Sequence, residues 1–175
     1  MTPTCYIGVD PGLHGALVVL TTEGDIMYSV RADEYTERAK PKSARRLYMP
    51  TSMRTELARF CGPQDASGLR FHVCIEAQQA MPKQGVSSSF LTGRGYGLWE
   101  GLVVGLGLPY TIVQPRAWTK AMLAGVSGEG KARSILAAQR RWPAFSLVPK
   151  GCRKPDDALA DAALIAAYVM RMEGA

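Results

Sequence analysis

Three short apolar runs joined by Gly-containing links constrain the first part of this chain more than any other feature. Residues 4–9 (TCYIGV) read as a buried strand, residues 16–21 (ALVVLT) as a second and residues 25–30 (DIMYSV) as a third. The links PGLHG and TEGD are short and carry Gly, which favours antiparallel hairpins. The first strand ends on Asp10, and the chain breaks at once at Pro11-Gly12. A strand entering a core does not ordinarily finish on a carboxylate. That position calls for a negative charge held by a rigid backbone.

Residues 31–49 hold Arg31, Arg38, Lys40, Lys42, Arg45 and Arg46 with almost no apolar pattern. They read as a basic, flexible connection, which a solvated loop and a DNA-contacting loop explain equally well. A helix opens at 50–52 and runs to about Cys61, with Met53, Leu57 and Phe60 on one face. Residues 71–75 (FHVCI) form a fourth strand that also runs into a carboxylate, Glu76. A polar loop leads to a helix over residues 90–106, whose glycines each cost an isolated helix about 1 kcal/mol and so point to close packing. A short fifth strand is expected at 110–113 and helices from Pro115, over 129–142, and from Pro155 or Asp156 to about Met172. This order predicts a single α/β domain over residues 1–175, with three antiparallel strands, two further strands and flanking helices. It is not the β-α-β alternation of a dinucleotide fold.

Charge and cysteine content narrow the partners. Lys plus Arg outnumber Asp plus Glu by 21 to 15, a net charge of +6 that suits a polyanion. Cys5, Cys61, Cys74 and Cys152 form no C-x-x-C pair, so no zinc site is expected and reduced thiols in the cytoplasm fit best. No signal peptide is expected, and no stretch of 18 apolar residues reads as membrane-spanning.

The acids carry the chemistry. If the first and fourth strands are neighbours, Asp10 and Glu76 emerge at one edge of the sheet. In the last helix, DDALADAALIAAY, Asp157 and Asp161 are four residues apart and share a face, their Cβ atoms about 5–6 Å apart. Asp156 points elsewhere and suits an N-cap. Residues 162–167 are apolar, so this helix must bury against the sheet and carry both aspartates to the core's edge. Like charges crowded at a dry edge repel unless a cation lies between them. Oxygen ligands without His or Cys suit Mg²⁺ or Mn²⁺, and two such ions about 3.5–4 Å apart serve phosphodiester cleavage. One such acid alone is more readily a cap or a surface charge. Four acids at three element boundaries shift the balance.

In these segments the chain resembles the RuvC family of Holliday-junction resolvases, with its RNase H-like fold. IGVDPGLHGAL with Asp10, VCIEAQQ with Glu76 and DDALADAALIAAY with Asp157 and Asp161 carry the resemblance. PKQGVSSSFLTGRGYGLWEGLV and VQPRAWTKAML are more similar to the chloroplast and phage-like branch. The resemblance covers nearly the whole chain and is weakest in 31–49. It implies an RNase H-like mixed five-stranded sheet and a homodimeric, Mg²⁺-dependent endonuclease, with Mn²⁺ as an alternative ion. Such an enzyme nicks two opposing strands of a four-way DNA junction. Asp10, Glu76, Asp157 and Asp161 would be its catalytic metal ligands, holding two ions per active site. A cytoplasmic setting, bacterial or phage-encoded, is implied, with an organelle as the alternative.

Two departures stand out. The last two acids are four apart where many bacterial members space them by three, which leaves the third ligand open between Asp157 and Asp156. Where some bacterial members carry an aromatic after the strand-four glutamate, this chain has Gln78, Gln79 and Met81, so Phe90 or Tyr96 are candidates for opening the junction.

The loop over residues 83–94 offers Lys83, Gln84, three serines and Arg94 to phosphates, and Lys120, Lys131 and Arg133 are further candidates. Trp99 and Trp118 read as core. The helix containing GYGLWEGLVVGLGL is the expected dimer contact, with packing on its own sheet as the alternative. Two rival functions are a catalytically silent junction-binding protein and a sugar-kinase/actin-like phosphate-binding domain. The four acids argue against the first, and a chain too short for two duplicated domains against the second.

Overall fold

The computed structural model describes residues 3–40, 46–61 and 68–174. The strands are β1 (Thr4–Asp10), β2 (Ala16–Leu20), β3 (Ile26–Arg31), β4 (Thr36–Arg38), β5 (Arg46–Tyr48), β6 (Arg70–Glu76) and β7 (Tyr110–Val113). The helices are α1 (Pro50–Ala58), α2 (Val86–Gly105), α3 (Pro115–Met122), α4 (Lys131–Arg141) and α5 (Asp157–Glu173). The main sheet has five strands in the order β3-β2-β1-β6-β7. β1, β2 and β3 pair antiparallel, while β1 with β6 and β6 with β7 pair parallel. This is the mixed five-stranded sheet that the resemblance implies.

β1 and β2 lie inside the sheet and are covered on both faces, so both read as continuous apolar runs rather than alternating ones. Their alternate residues serve two cores. Cys5, Ile7 and Val9 join Leu17, Val19 and Val73 in the core that α1 and α2 cover. Tyr6 joins Val18, Leu20 and Cys74 in the core under α3, α4 and α5. The small side chains of α5 allow that helix to sit on the strand backbone. A Cβ on Gly8 would lie 1.9 Å from the Ala162 carbonyl oxygen, so the contact requires glycine in β1.

The structure adds elements that the sequence does not announce. β4 and β5 form a separate antiparallel pair within the segment expected as a basic connection. Arg46 ties it together, donating to Thr36 Oγ1 and to the Thr36 carbonyl and pairing with Asp33 at 3.1 Å. Tyr35 and Tyr48 are buried beside it, and Tyr35 meets Trp99 edge-on at 5.1 Å. Lys42 and Arg45 of that segment lie outside the described residues. The helix expected from residue 90 begins at Val86, so most of the loop expected over residues 83–94 is the first part of α2. The expected fourth helix begins two residues late, at Lys131. Among the described residues no helix is long and apolar enough to cross a membrane.

Candidate active site

Two parallel strands finish side by side. β1 and β6 stay in register as far as Val9 opposite Ile75, so Asp10 and Glu76 follow together at one edge. Neighbouring strands lie about 4.8 Å apart. Alternation puts Asp10 on the face of Tyr6 and Gly8, and Glu76 on the face of Cys74, which is the face α5 covers. After Asp10 the chain turns tightly. The Gly12 N–H donates to Asp10 Oδ1 at 3.2 Å, and the Gly15 N–H donates to the Gly12 carbonyl at 2.9 Å. A Cβ on Gly15 would lie 2.0 Å from the Asp10 carbonyl oxygen, so only glycine closes this turn.

The start of α5 brings the other carboxylates. Asp156 is its N-cap, accepting from the N–H groups of Ala158 and Leu159 at 3.0 and 3.3 Å. Its other oxygen lies 2.7 Å from Arg31 Nε, a charge contact outside hydrogen-bonding geometry. Asp157 is the first helical residue, and Asp161 lies one turn further on. The cap thus engages Asp156 and leaves Asp157 on the side of Asp161.

Electrostatics ties the four acids together. Burial, then the Glu76 charge, then Asp157, push the Asp10 carboxyl from its usual 3.8 up to about 6, against the pull of the Gly12 N–H and Lys131. Burial, then Asp10 and Asp157, push Asp161 up to about 6, while a hydrogen bond from Ser134 and the charge of Lys131 oppose. Glu76 is raised by burial and by Asp161, and lowered by hydrogen bonds from Trp118 and Gln78. Each acid feels others across three separate elements, so they occupy one neighbourhood.

The side chains do not converge as a chelate. Among the described residues no group of three His, Cys, Asp or Glu side chains is placed to hold an ion. Glu76 accepts from Trp118 Nε1 at 2.8 Å and from Gln78 Nε2 at 3.0 Å. Asp157 pairs with Lys131 Nζ at 2.5 Å, and that ammonium also feels Asp161 and Asp10. Asp161 Oδ1 is buried with no hydrogen-bond partner. An orphaned buried carboxylate oxygen beside other carboxylates, with the Lys131 ammonium among them, fits an all-oxygen site for a divalent ion in donor type and charge.

The sequence-derived phosphate candidates differ in what engages them. Lys83, at positive φ, and Arg94 and Lys120 are exposed. Gln84 is engaged with Ser88 and Thr92. Arg133 donates to the carbonyls of Val126 and Leu123 and so braces the link into α4. Sequence reasoning missed Trp118 and Gln78 as holders of Glu76, because an indole among leucines reads as core. It also missed Lys150, Arg153 and Lys154, exposed just before α5 and paired with no acid among the described residues. Their crowding between two prolines was the available signal.

No family model and no curated protein matches the chain. Among solved structures it is similar to Thermus thermophilus RuvC, with 20% identity and a TM-score of 0.58, over 97% of this chain and 96% of that one. It is similar also to T. thermophilus RuvC in complex with a Holliday junction substrate, with 19% identity and a TM-score of 0.59, over 98% of each chain. The fold is RuvC-like. The likeness spans both strand ends and α5, so the RuvC-like framework includes every element that carries an acid.

Proposed function

We propose that this chain is a structure-selective endonuclease that resolves four-way DNA junctions by paired, metal-dependent phosphodiester hydrolysis. The observation that carries the reading is the meeting of Asp10, Glu76, Asp157 and Asp161 at one edge of a RuvC-like sheet. A solved RuvC neighbour holds a Holliday junction substrate, which supports branched DNA as the ligand.

Those four carboxylates would hold Mg²⁺ or Mn²⁺, two ions per site. A divalent cation there supplies charge stabilisation at the phosphodiester and a more acidic water. The chain's own groups do the positioning. Gly12 holds Asp10 through its N–H, and Trp118 and Gln78 hold Glu76. Lys131 balances the acids and is exposed enough to turn to a phosphate. Lys83, Arg94, Lys120, Lys150, Arg153 and Lys154 neutralise backbone phosphates of the arms. Pairing of two cuts needs two matched sites, which a two-fold dimer supplies. Gly93, Gly97, Gly101 and Gly105 lie four apart on α2, and a Cβ on any of them would meet nothing within 4 Å. That bare face suits close approach of a second α2. The proposed setting is reducing, in keeping with four free thiols among the described residues.

The test is nicking of a synthetic four-way junction beside linear duplex of the same sequence, with Mg²⁺ and in chelator. Symmetric nicks on the junction alone, with Mg²⁺ alone, are expected, and calorimetry should detect Mn²⁺ binding that Asp161→Asn weakens. A junction that is bound yet never cut with either ion sinks the nuclease reading and leaves the silent binder. Sedimentation showing a monomer that still makes paired cuts sinks the dimer.

A further inference from the structure

Lys131 stands where the chemistry of its own helix does not favour a cation. It is the first residue of α4, and the residue before it, Gly130 at φ 51°, has no side chain with which to cap the helix. The first turn of α4 holds no acid. A positive charge at a helix N-terminus opposes the helix dipole and costs stability. The last turn of α4 carries Arg140 and Arg141, where the dipole favours cations. The reason for Lys131 therefore lies outside α4.

It lies across the site, at the start of α5. Lys131 Nζ meets Asp157 Oδ2 at 2.5 Å. The charges of Asp157, Asp161 and Asp10 all act on this ammonium. In return its charge draws the carboxyls of Asp10 and Asp161 back toward their ordinary range. Three of the four acids thus share one monovalent cation. Neighbouring Arg133 does not take that part, because its guanidinium donates to the carbonyls of Val126 and Leu123. The ammonium is also free to leave. The Lys131 side chain is 79% exposed, and it lines a cavity of ≈ 360 Å³ with Thr119, Ser134 and Asp161. Swinging it away from Asp157 unpacks nothing.

We propose that Lys131 is the resident counter-ion of the metal-free site, and that a divalent ion binds by displacing its ammonium from Asp157. The inference rests on the metal-dependent reading of these acids and adds to it how the ion enters. An ammonium and a divalent ion on the same carboxylate repel each other, so they do not share it. A single charge on an exposed stem is a weak partner for a carboxylate. It relieves the crowding of the acids while no ion is bound, and it yields when one arrives. Lys131 therefore competes with the ion. Its loss should strengthen ion binding, whereas loss of a residue that helps to position the acids would weaken it.

The test is calorimetry of Mn²⁺ binding to wild type, Lys131→Gln and Lys131→Arg at neutral pH without DNA. Lys131→Gln should bind Mn²⁺ about fivefold more tightly, the scale of one exposed ion pair. Lys131→Arg keeps the charge and should bind no more tightly than wild type. Thermal unfolding gives a second readout. The rise in unfolding temperature between EDTA and a fixed, subsaturating Mn²⁺ concentration should be larger for Lys131→Gln than for wild type. Equal or weaker Mn²⁺ binding by Lys131→Gln overturns the proposal. So does a Lys131→Arg that gains affinity as Lys131→Gln does, since the charge is then not what competes. A wild type that binds no Mn²⁺ removes the metal-site reading, and this inference with it.

Discussion

Replacing Asp10 by Asn should make the metal-free protein more stable, and only at neutral and alkaline pH. Burial and the neighbouring Glu76 hold the Asp10 carboxyl at about 6 rather than 3.8. Ionising it in the folded state therefore costs more than ionising it in the unfolded chain. A gap of about two units corresponds to ~3 kcal/mol, which partial exposure reduces to about 2–3 kcal/mol. Below pH 3.8 the group is protonated in both states and costs nothing. The stability it confers as a neutral acid is lost as pH rises through the folded value near 6. Asn never ionises, and its Oδ1 still accepts from Gly12 N–H. At pH 8 in EDTA, Asp10→Asn should therefore unfold roughly 5–10 °C higher than wild type, at about 2–4 °C per kcal/mol for a chain of this size. Near pH 4.5 most of the difference should be gone. Mg²⁺ should stabilise wild type and do less for the variant, because the ion is the natural relief of the same repulsion. Thermal unfolding followed by circular dichroism at the two pH values, with and without Mg²⁺, measures all of this. A variant no more stable than wild type at pH 8, or equally stabilised at both pH values, would refute the picture of a strained acidic cluster.

Other substitutions separate holding from chemistry. Asp157→Asn should remove most Mg²⁺-dependent cleavage, while Asp156→Asn should keep it and cost about 1 kcal/mol by urea unfolding, since Asn still caps α5 but loses the charge contact with Arg31. The opposite outcome on one junction substrate means that the two aspartates exchange roles. Trp118→Phe removes the donor 2.8 Å from Glu76 Oε1 and should weaken Mn²⁺ binding by calorimetry about tenfold or more, through loss of a charge-assisted bond of about 1.5–3 kcal/mol. Unaltered Mn²⁺ affinity would make that hydrogen bond incidental. Gly8→Ala should cost more than about 3 kcal/mol, because its Cβ would overlap the Ala162 carbonyl and lift α5 off β1. A urea midpoint close to that of wild type would show that the layers yield easily.

The element order and the acids were legible in the residues because their signals are local. Continuous apolar runs of strand length, Gly-bearing links and the apolar stretch after Asp161 state what each segment does without reference to another. Asp10 and Glu76 stood out because a charge at the end of such a run breaks the pattern. Pairing of distant groups was not legible. β4 and β5 are three-residue strands of mostly polar residues, held by Arg46 reaching Thr36 and Asp33 and by tyrosines that bury only once Trp99 is in place. Trp118 reads as core from its neighbours, and it is buried, yet its one polar atom meets Glu76 because α3 follows the strand beside β6. Whether Asp156 or Asp157 faces Asp161 depended on where α5 begins, which the cap bonds to Ala158 and Leu159 decide. Composition and period set the strands, the helices and the acids that end them. Which acid meets which donor was settled only by long-range contact across the sheet, which a local pattern of residues does not encode.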